Sequence, residues 1–312
     1  MPSWQSRAIA AAMTVARLRN RQFDPARFAS PAAPDPAKYA PPSGVRRRVT
    51  VEESRFLNWP VYTVVPPRPV DGHILYLHGG AHAAEIQPAH WSFVATLAVQ
   101  TGRTVTVPIY PLVPAATHRD VQPVLRSLYQ TLADRTEAGA AGALAVMGDS
   151  AGAGLALTLV AQLPAGVARP RDLVLLSPYL DVTLSNPQIP AFAPRDPLLR
   201  ADHLRELGRR YAGGDDPAQP AVSPINGPLD RLGTVTVFTG TRDLLHPDAL
   251  RFRDLAAAAP GTTVLLHQAQ DMVHDWMLLP IPEARQVVSR LAAVLTPPTT
   301  DQTLHSTGTL PS

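Results

Sequence analysis

Ala143-Leu144-Ala145-Val146-Met147 runs directly into Gly148-Asp149-Ser150-Ala151-Gly152, and Ala153-Gly154-Leu155-Ala156-Leu157 follows. The first five residues form a short continuous apolar run, the pattern of a strand buried on both faces. Residues from about 151 to 163 are small or apolar and read as a helix. A strand, a sharp turn and a helix therefore meet at Ser150. A serine must project from such a turn to reach a substrate, and the turn crowds the flanking backbones together. Glycine two positions before and two positions after relieves that crowding, which is the physical content of G-x-S-x-G. The helix that starts here also offers a free N–H and a positive dipole end where an oxyanion would form. Ser150 is the candidate nucleophile. The competing reading is a glycine-rich strand–helix turn with no chemistry.

Strands and helices alternate on both sides of this turn. Residues 45–53 and 56–65 alternate as two antiparallel strands, and 74–77 is a buried strand ending in His78-Gly79-Gly80-Ala81. Helices are predicted over 91–100, 117–133, 247–259 and 282–295, and further strands over 104–109, 173–176, 235–239 and 263–266. Such alternation gives an α/β class with a mostly parallel central sheet and helices on both faces. About 60 residues separate the strands at 173–176 and 235–239, with one helical stretch at 201–211. Loops that long are rare unless functional. The expected organisation is an N-terminal segment (1–44), a core (45–181), a cap insertion (182–212), the rest of the core (213–296) and a flexible tail (297–312).

The 312 residues can bury a large core without staples, and there is no cysteine to supply one. That removes thiolate metal sites, Fe–S clusters, cysteine nucleophiles and disulfides together. Proline, at 34 residues, is about twice as frequent as the usual ~5%. The prolines cluster between strongly apolar segments, which argues for punctuated loops on a packed body. A net charge of +3 does not suggest a nucleic-acid binder, and Arg46-Arg47-Arg48 reads as a solvated strand or loop edge.

No stretch reaches the ~18 apolar residues of a spanning helix. Residues 3–21 place most of their charge after the apolar part, unlike a signal peptide. They read as an amphipathic helix with Ile9, Ala12, Met13 and Ala16 on one face. That face packs on the protein in one reading and touches lipid in the other. The expectation is a cytoplasmic protein, monomer or homodimer, without cofactor or metal.

His78-Gly79-Gly80-Ala81 lets backbone N–H groups point into a site without side-chain obstruction. With Ala151 at the helix start, the expected oxyanion donors are the N–H groups of Gly79, Gly80 and Ala151. A triad on this topology runs serine, acid, histidine along the chain. The histidines after Ser150 are His203, His246, His267, His274 and His305; His203 lies in the cap, His305 in the tail and His267 at a strand end. His274 lies in the loop beyond the last strand, where active-site groups of open parallel sheets collect. It is the candidate general base. Asp243, just past the strand at 235–239, is the candidate acid. Asp248 competes but looks like a first-turn helix residue. Asp271 and Asp275 flank the histidine too closely to orient it across the site.

At this point the sequence resembles the hormone-sensitive-lipase-like branch of the α/β-hydrolases, bacterial esterases with HGGG and GDSAGG motifs. The resemblance covers roughly 60–296. It rests on His78-Gly79-Gly80, Tyr110-Pro111-Leu112 leading to Asp120, Gly148 to Gly152, Ser177-Pro178-Tyr179-Leu180-Asp181, Gly240 to Asp243, and His274. It implies an α/β-hydrolase fold and a metal-free carboxylesterase for short or medium acyl chains, acting on a small ester through an acyl-enzyme. It also implies that the N-terminal segment and 182–212 cap the pocket. Ala81 and Ala153 stand where the family has glycine, and Tyr110 to Ala115 lacks the family's Arg and Glu. A ligand-binding member without activity, or an amidase or deacetylase with the same triad, would carry many of the same motifs.

Overall fold

The structure, a computed structural model, describes residues 2–19, 35–137 and 144–295. Its strands are β1 (Thr50–Phe56), β2 (Trp59–Val65), β3 (His73–Leu77), β4 (Thr104–Pro108), β5 (Leu144–Asp149), β6 (Asp172–Leu176), β7 (Gly233–Gly240) and β8 (Thr262–Ala269). They form a sheet in the order β1-β2-β4-β3-β5-β6-β7-β8. β2 runs antiparallel to both β1 and β4, and every other neighbouring pair is parallel.

The continuous apolar strands are explained by two cores, one on each face of the sheet. Side chains alternate along a strand. Leu75, Leu77, Leu144, Val146, Leu173 and Leu175 therefore enter one cluster, and Ile74, Tyr76, Ala145, Met147, Val174 and Leu176 enter the other. The first core is closed by α5 (His118–Glu137), α6 (Ser150–Ala161) and α9 (His246–Ala256), the second by α4 (Pro88–Thr101) and α10 (Pro282–Leu295).

Before β1 the chain departs from the expected strand. Residues 45–49 are not extended: α2 (Pro36–Tyr39) and α3 (Ser43–Arg46) precede a turn, and β1 begins only at Thr50. Val45 and Val49 are four apart, and a helical turn buries both while Arg46, Arg47 and Arg48 point outward. Alternation would have buried an arginine.

α1 (Trp4–Arg19) confirms the predicted helix but turns a different face inward. Ser6 and Ala10 are buried and Ile9 and Met13 half-buried, whereas Ala12 is exposed. Polar anchoring sets this rotation: Ser3 and Ser6 hydroxyls donate to Glu283 Oε2 at 2.9 and 2.7 Å, and the Ser3 N–H donates to Oε1. Glu283 opens α10, so the N-terminal helix is tied to the second core. Ala16 lies where side chains are not described. In the 182–212 segment, α7 (Ile189–Phe192) and α8 (Ala201–Ala212) form, and Leu204, Leu207 and Tyr211 join the first core. The tail beyond 295 lies outside the described residues. Among the described residues, no helix is long and apolar enough to cross a membrane.

The β5–α6 turn is the tightest part of the fold. A Cβ on Gly152 would overlap the Leu77 carbonyl oxygen and lie 2.5 Å from that of His78; one on Gly148 would overlap the Gly152 carbonyl. α6 thus sits with its backbone against the end of β3. Gly152→Ala is expected to lower stability by about 4 kcal/mol or more. The ~1 kcal/mol that alanine gains over glycine in a helix is far too little to offset that overlap. Urea unfolding measures it; a loss under about 1 kcal/mol would show that the turn relaxes freely.

Candidate active site

Ser150 begins α6 with φ +49°, and it is 5% exposed. A non-glycine residue in the left-handed region carries strain of about 1–3 kcal/mol, held here by the packed strand and helix on either side. The loop after β7 brings Asp243 to the same end of the sheet, and the loop after β8 brings His274. These loops are stitched together: the Thr241 N–H donates to the Ala269 carbonyl (3.1 Å), that of Arg242 to Met272 (3.0 Å), and that of Asp271 to Thr241 Oγ1 (2.8 Å).

The structure brings the three residues into one chain of contacts. His274 Nε2 is 2.9 Å from Ser150 Oγ, and His274 Nδ1 is 2.9 Å from Asp243 Oδ2. The other oxygen of Asp243 accepts the Leu245 N–H at 2.8 Å, which fixes the carboxylate. The competing acid, Asp248, accepts instead from the Asn186 amide at 2.9 Å, and burial raises its pKa to about 6. His246 pairs with Thr239 Oγ1 (3.0 Å), and His267 stacks on Phe238. His305 lies outside the described residues.

The oxyanion donors differ from expectation at one position. The Gly79 N–H donates to Asp149 Oδ2 at 2.9 Å, so it is not left over for a developing oxyanion. The Gly80 and Ala81 N–H groups have no acceptor among the described residues. Ala151 sits in the first turn of α6, where N–H groups lack an intrahelical partner. The open donors are therefore Gly80, Ala81 and Ala151. Ala81 holds φ +53°, so its methyl group carries backbone strain beside these open N–H groups. Ala153 is accommodated in the first core.

Asp149 is the residue that sequence reasoning passed over inside its own motif. Its buried carboxylate also accepts from the Tyr76 hydroxyl and from His90 Nε2 at 3.1 Å. Burial alone would raise its pKa. The His90 charge, with hydrogen bonds from His90 and Tyr76, outweighs that and lowers it. His90 is raised in turn, because Asp149 outweighs its burial. These hydrogen bonds tie the start of α4, β3 and the glycine loop to the nucleophile's turn. A charged residue at the end of a wholly buried strand needs such partners, which is the signal that could have found it.

Two more acids surround the base. Asp196, from the 182–212 segment, accepts the N–H groups of Leu198 and Leu199 on Oδ1 (2.7 and 2.8 Å) and that of Leu244 on Oδ2 (2.7 Å). It ties that segment to the loop carrying Asp243. Asp275, set aside on grounds of proximity, places Oδ2 3.0 Å from His274 Nε2. Among the described residues, no group of three or more His, Asp or Glu side chains could hold a metal ion.

A hydroxyl, a ring nitrogen that can take its proton and a carboxylate behind the ring are thus in line, and N–H groups without an acceptor among the described residues lie in the adjoining turn. That is the equipment for acyl transfer. The chain matches the alpha/beta hydrolase fold family over residues 74–278. It is 33% identical over 242 residues to a Mycobacterium tuberculosis protein named as an acetyl-hydrolase, LipR, covering 76% of this chain and 77% of that one. It is 31% identical to an acetyl-hydrolase of Streptomyces hygroscopicus, covering 74% and 78%. Its structure resembles that of a hormone-sensitive lipase from a metagenome library, with TM-score 0.77, 25% identity, and 93% and 97% coverage.

Proposed function

The chain belongs to the alpha/beta hydrolase fold family, and from that premise we propose that it is a serine carboxylesterase for short- to medium-chain acyl esters. The observation that carries this reading is the His274 ring, held 2.9 Å from both Ser150 Oγ and Asp243 Oδ2. Ser150 Oγ attacks the ester carbonyl while His274 Nε2 takes its proton. Asp243 keeps the other proton on Nδ1, which leaves the Nε2 lone pair facing the serine, and it stabilises the imidazolium that forms. The Gly80, Ala81 and Ala151 N–H groups receive the tetrahedral oxyanion. Such donors are worth about 3–4 kcal/mol each when aimed at the transition state rather than the ground state. The imidazolium then gives its proton to the departing alcohol. Water, activated by the same nitrogen, releases the acid and restores Ser150.

The acyl-chain preference is supported by the two relatives named as acetyl-hydrolases and by the alanine methyl, rather than hydrogen, beside the oxyanion donors. A p-nitrophenyl ester series tests it. kcat/KM is expected to peak between acetate and hexanoate and to fall by about tenfold or more by decanoate, because a short pocket gains nothing from methylenes it cannot hold. A peak at laurate or beyond, or activation by emulsified lipid, would overturn the preference.

A further inference from the structure

Asp275 has no part in the mechanism as described, yet it touches the atom on which that mechanism turns. Its Oδ2 lies 3.0 Å from His274 Nε2, the nitrogen that also faces Ser150 Oγ at 2.9 Å. Its Oδ1 is buried without a hydrogen-bond partner among the described residues. The backbone explains how an adjacent residue reaches back. Asp275 adopts φ +50°, a region that aspartate tolerates better than most residues, and its N–H donates to Ser177 Oγ at 3.1 Å. That turn folds the carboxylate over the ring of its predecessor.

A nitrogen lone pair and a carboxylate oxygen repel at this distance unless one of them carries a proton. A proton on Nε2 leaves the ring between two carboxylates, Asp243 at Nδ1 and Asp275 at Nε2. In that state the nitrogen has no lone pair with which to accept the serine proton. We propose that Asp275 is a positioning residue that holds a proton on His274 Nε2 in the resting enzyme and so sets the acid limb of the pH–rate profile. This rests on the reading of Ser150 and His274 as nucleophile and base.

The surroundings favour the proton. Asp243 comes from the loop after β7, Asp149 from the end of β5, and Asp196 from the 182–212 segment; all are negative when ionised. His90 on α4 accepts the Gln87 N–H on Nδ1 at 3.0 Å and turns Nε2 to Asp149 at 3.1 Å. Tyr76 on β3 is neutral and donates to Asp149. Burial by itself lowers the His274 pKa, but the charges and hydrogen bonds of Asp243 and Asp275 outweigh it and hold it well above the ordinary imidazole value. Burial moves Asp275 the other way, up to about 6, helped by Asp149 and Asp243 and opposed by His274. The base works only when neutral, so activity is lost as pH falls through the raised value and returns as the proton leaves to solvent. The same contact helps during turnover, because the imidazolium formed when Ser150 gives up its proton again lies between two carboxylates.

The test is kcat/KM for p-nitrophenyl acetate across about pH 5–10, for the wild type, Asp275→Asn and Asp275→Ala. Active enzyme is counted by fluorophosphonate titration. The wild-type acid limb is expected to have its midpoint above the ~6.5 of an ordinary histidine. In both variants the midpoint is expected about one pH unit lower. A merely structural role would scale the whole profile and leave its midpoint in place. A wild-type midpoint at or below ~6.5, or variants that label normally with an unmoved limb, would overturn the proposal. If neither variant folds, the wild-type midpoint decides alone. Failure of the underlying reading is distinct: the wild type would hydrolyse the ester yet take no label on Ser150.

Discussion

Ser150→Ala is expected to lower kcat for p-nitrophenyl acetate by about 10³–10⁶-fold, with KM changed far less. The size of the effect follows from what the hydroxyl does. Without Oγ there is no acyl-enzyme, and His274 and the free N–H groups can only assist direct attack by water, a residual catalysis of modest size. The substitution removes one oxygen from a buried turn held by glycine contacts and by the Asp149 network, none of which involves Oγ. The fold should therefore survive, and a thermal melt close to wild type is the control. Activity within tenfold of wild type would mean that another group attacks the ester.

The next largest effect is expected from Asp243→Asn, a loss of about 10⁴-fold in kcat near neutral pH. The asparagine carbonyl can keep the Leu245 N–H bond, so the loop stays in place. Its amide, however, is a donor where the carboxylate was an acceptor. It drives the ring proton from Nδ1 to Nε2, and Nε2 then meets Ser150 and Asp275 as a donor with no lone pair for the serine proton. The imidazolium also loses its main counter-charge. Single-turnover rates separate this from a binding defect: acylation should slow while KM holds. A drop of less than about 100-fold would show that the carboxylate orients the ring less than its contact implies.

Much of this site was legible in the residues because it depends on backbone constraints. A serine at a strained strand–helix turn needs glycine on both sides, and the overlaps at Gly148 and Gly152 are the structural form of that need. The buried strands were readable because parallel strands with two covered faces are apolar throughout. The acid and the base could be ordered because their loops follow successive strands at one end of the sheet. What escaped depends on where side chains meet. The rotation of α1 is set by Ser3 and Ser6 reaching Glu283, some 280 positions away. The loss of the Gly79 N–H follows from a partner, Asp149, that is remote in sequence. Asp275 stands too close in sequence to orient His274 across the site, and only its left-handed backbone brings it back onto the ring. The segment at 45–49 departs from a strand because two valines four apart suit a helical turn as well as they suit alternation.

The proposed catalysis requires that Ser150 Oγ be the atom that becomes acylated. Treating the wild-type protein with a fluorophosphonate and mapping the adduct by peptide mass spectrometry tests this directly. The expected result is a single adduct on Ser150, formed as activity is lost and absent from Ser150→Ala. An adduct on any other serine, or complete retention of esterase activity after Ser150 is modified, would contradict it.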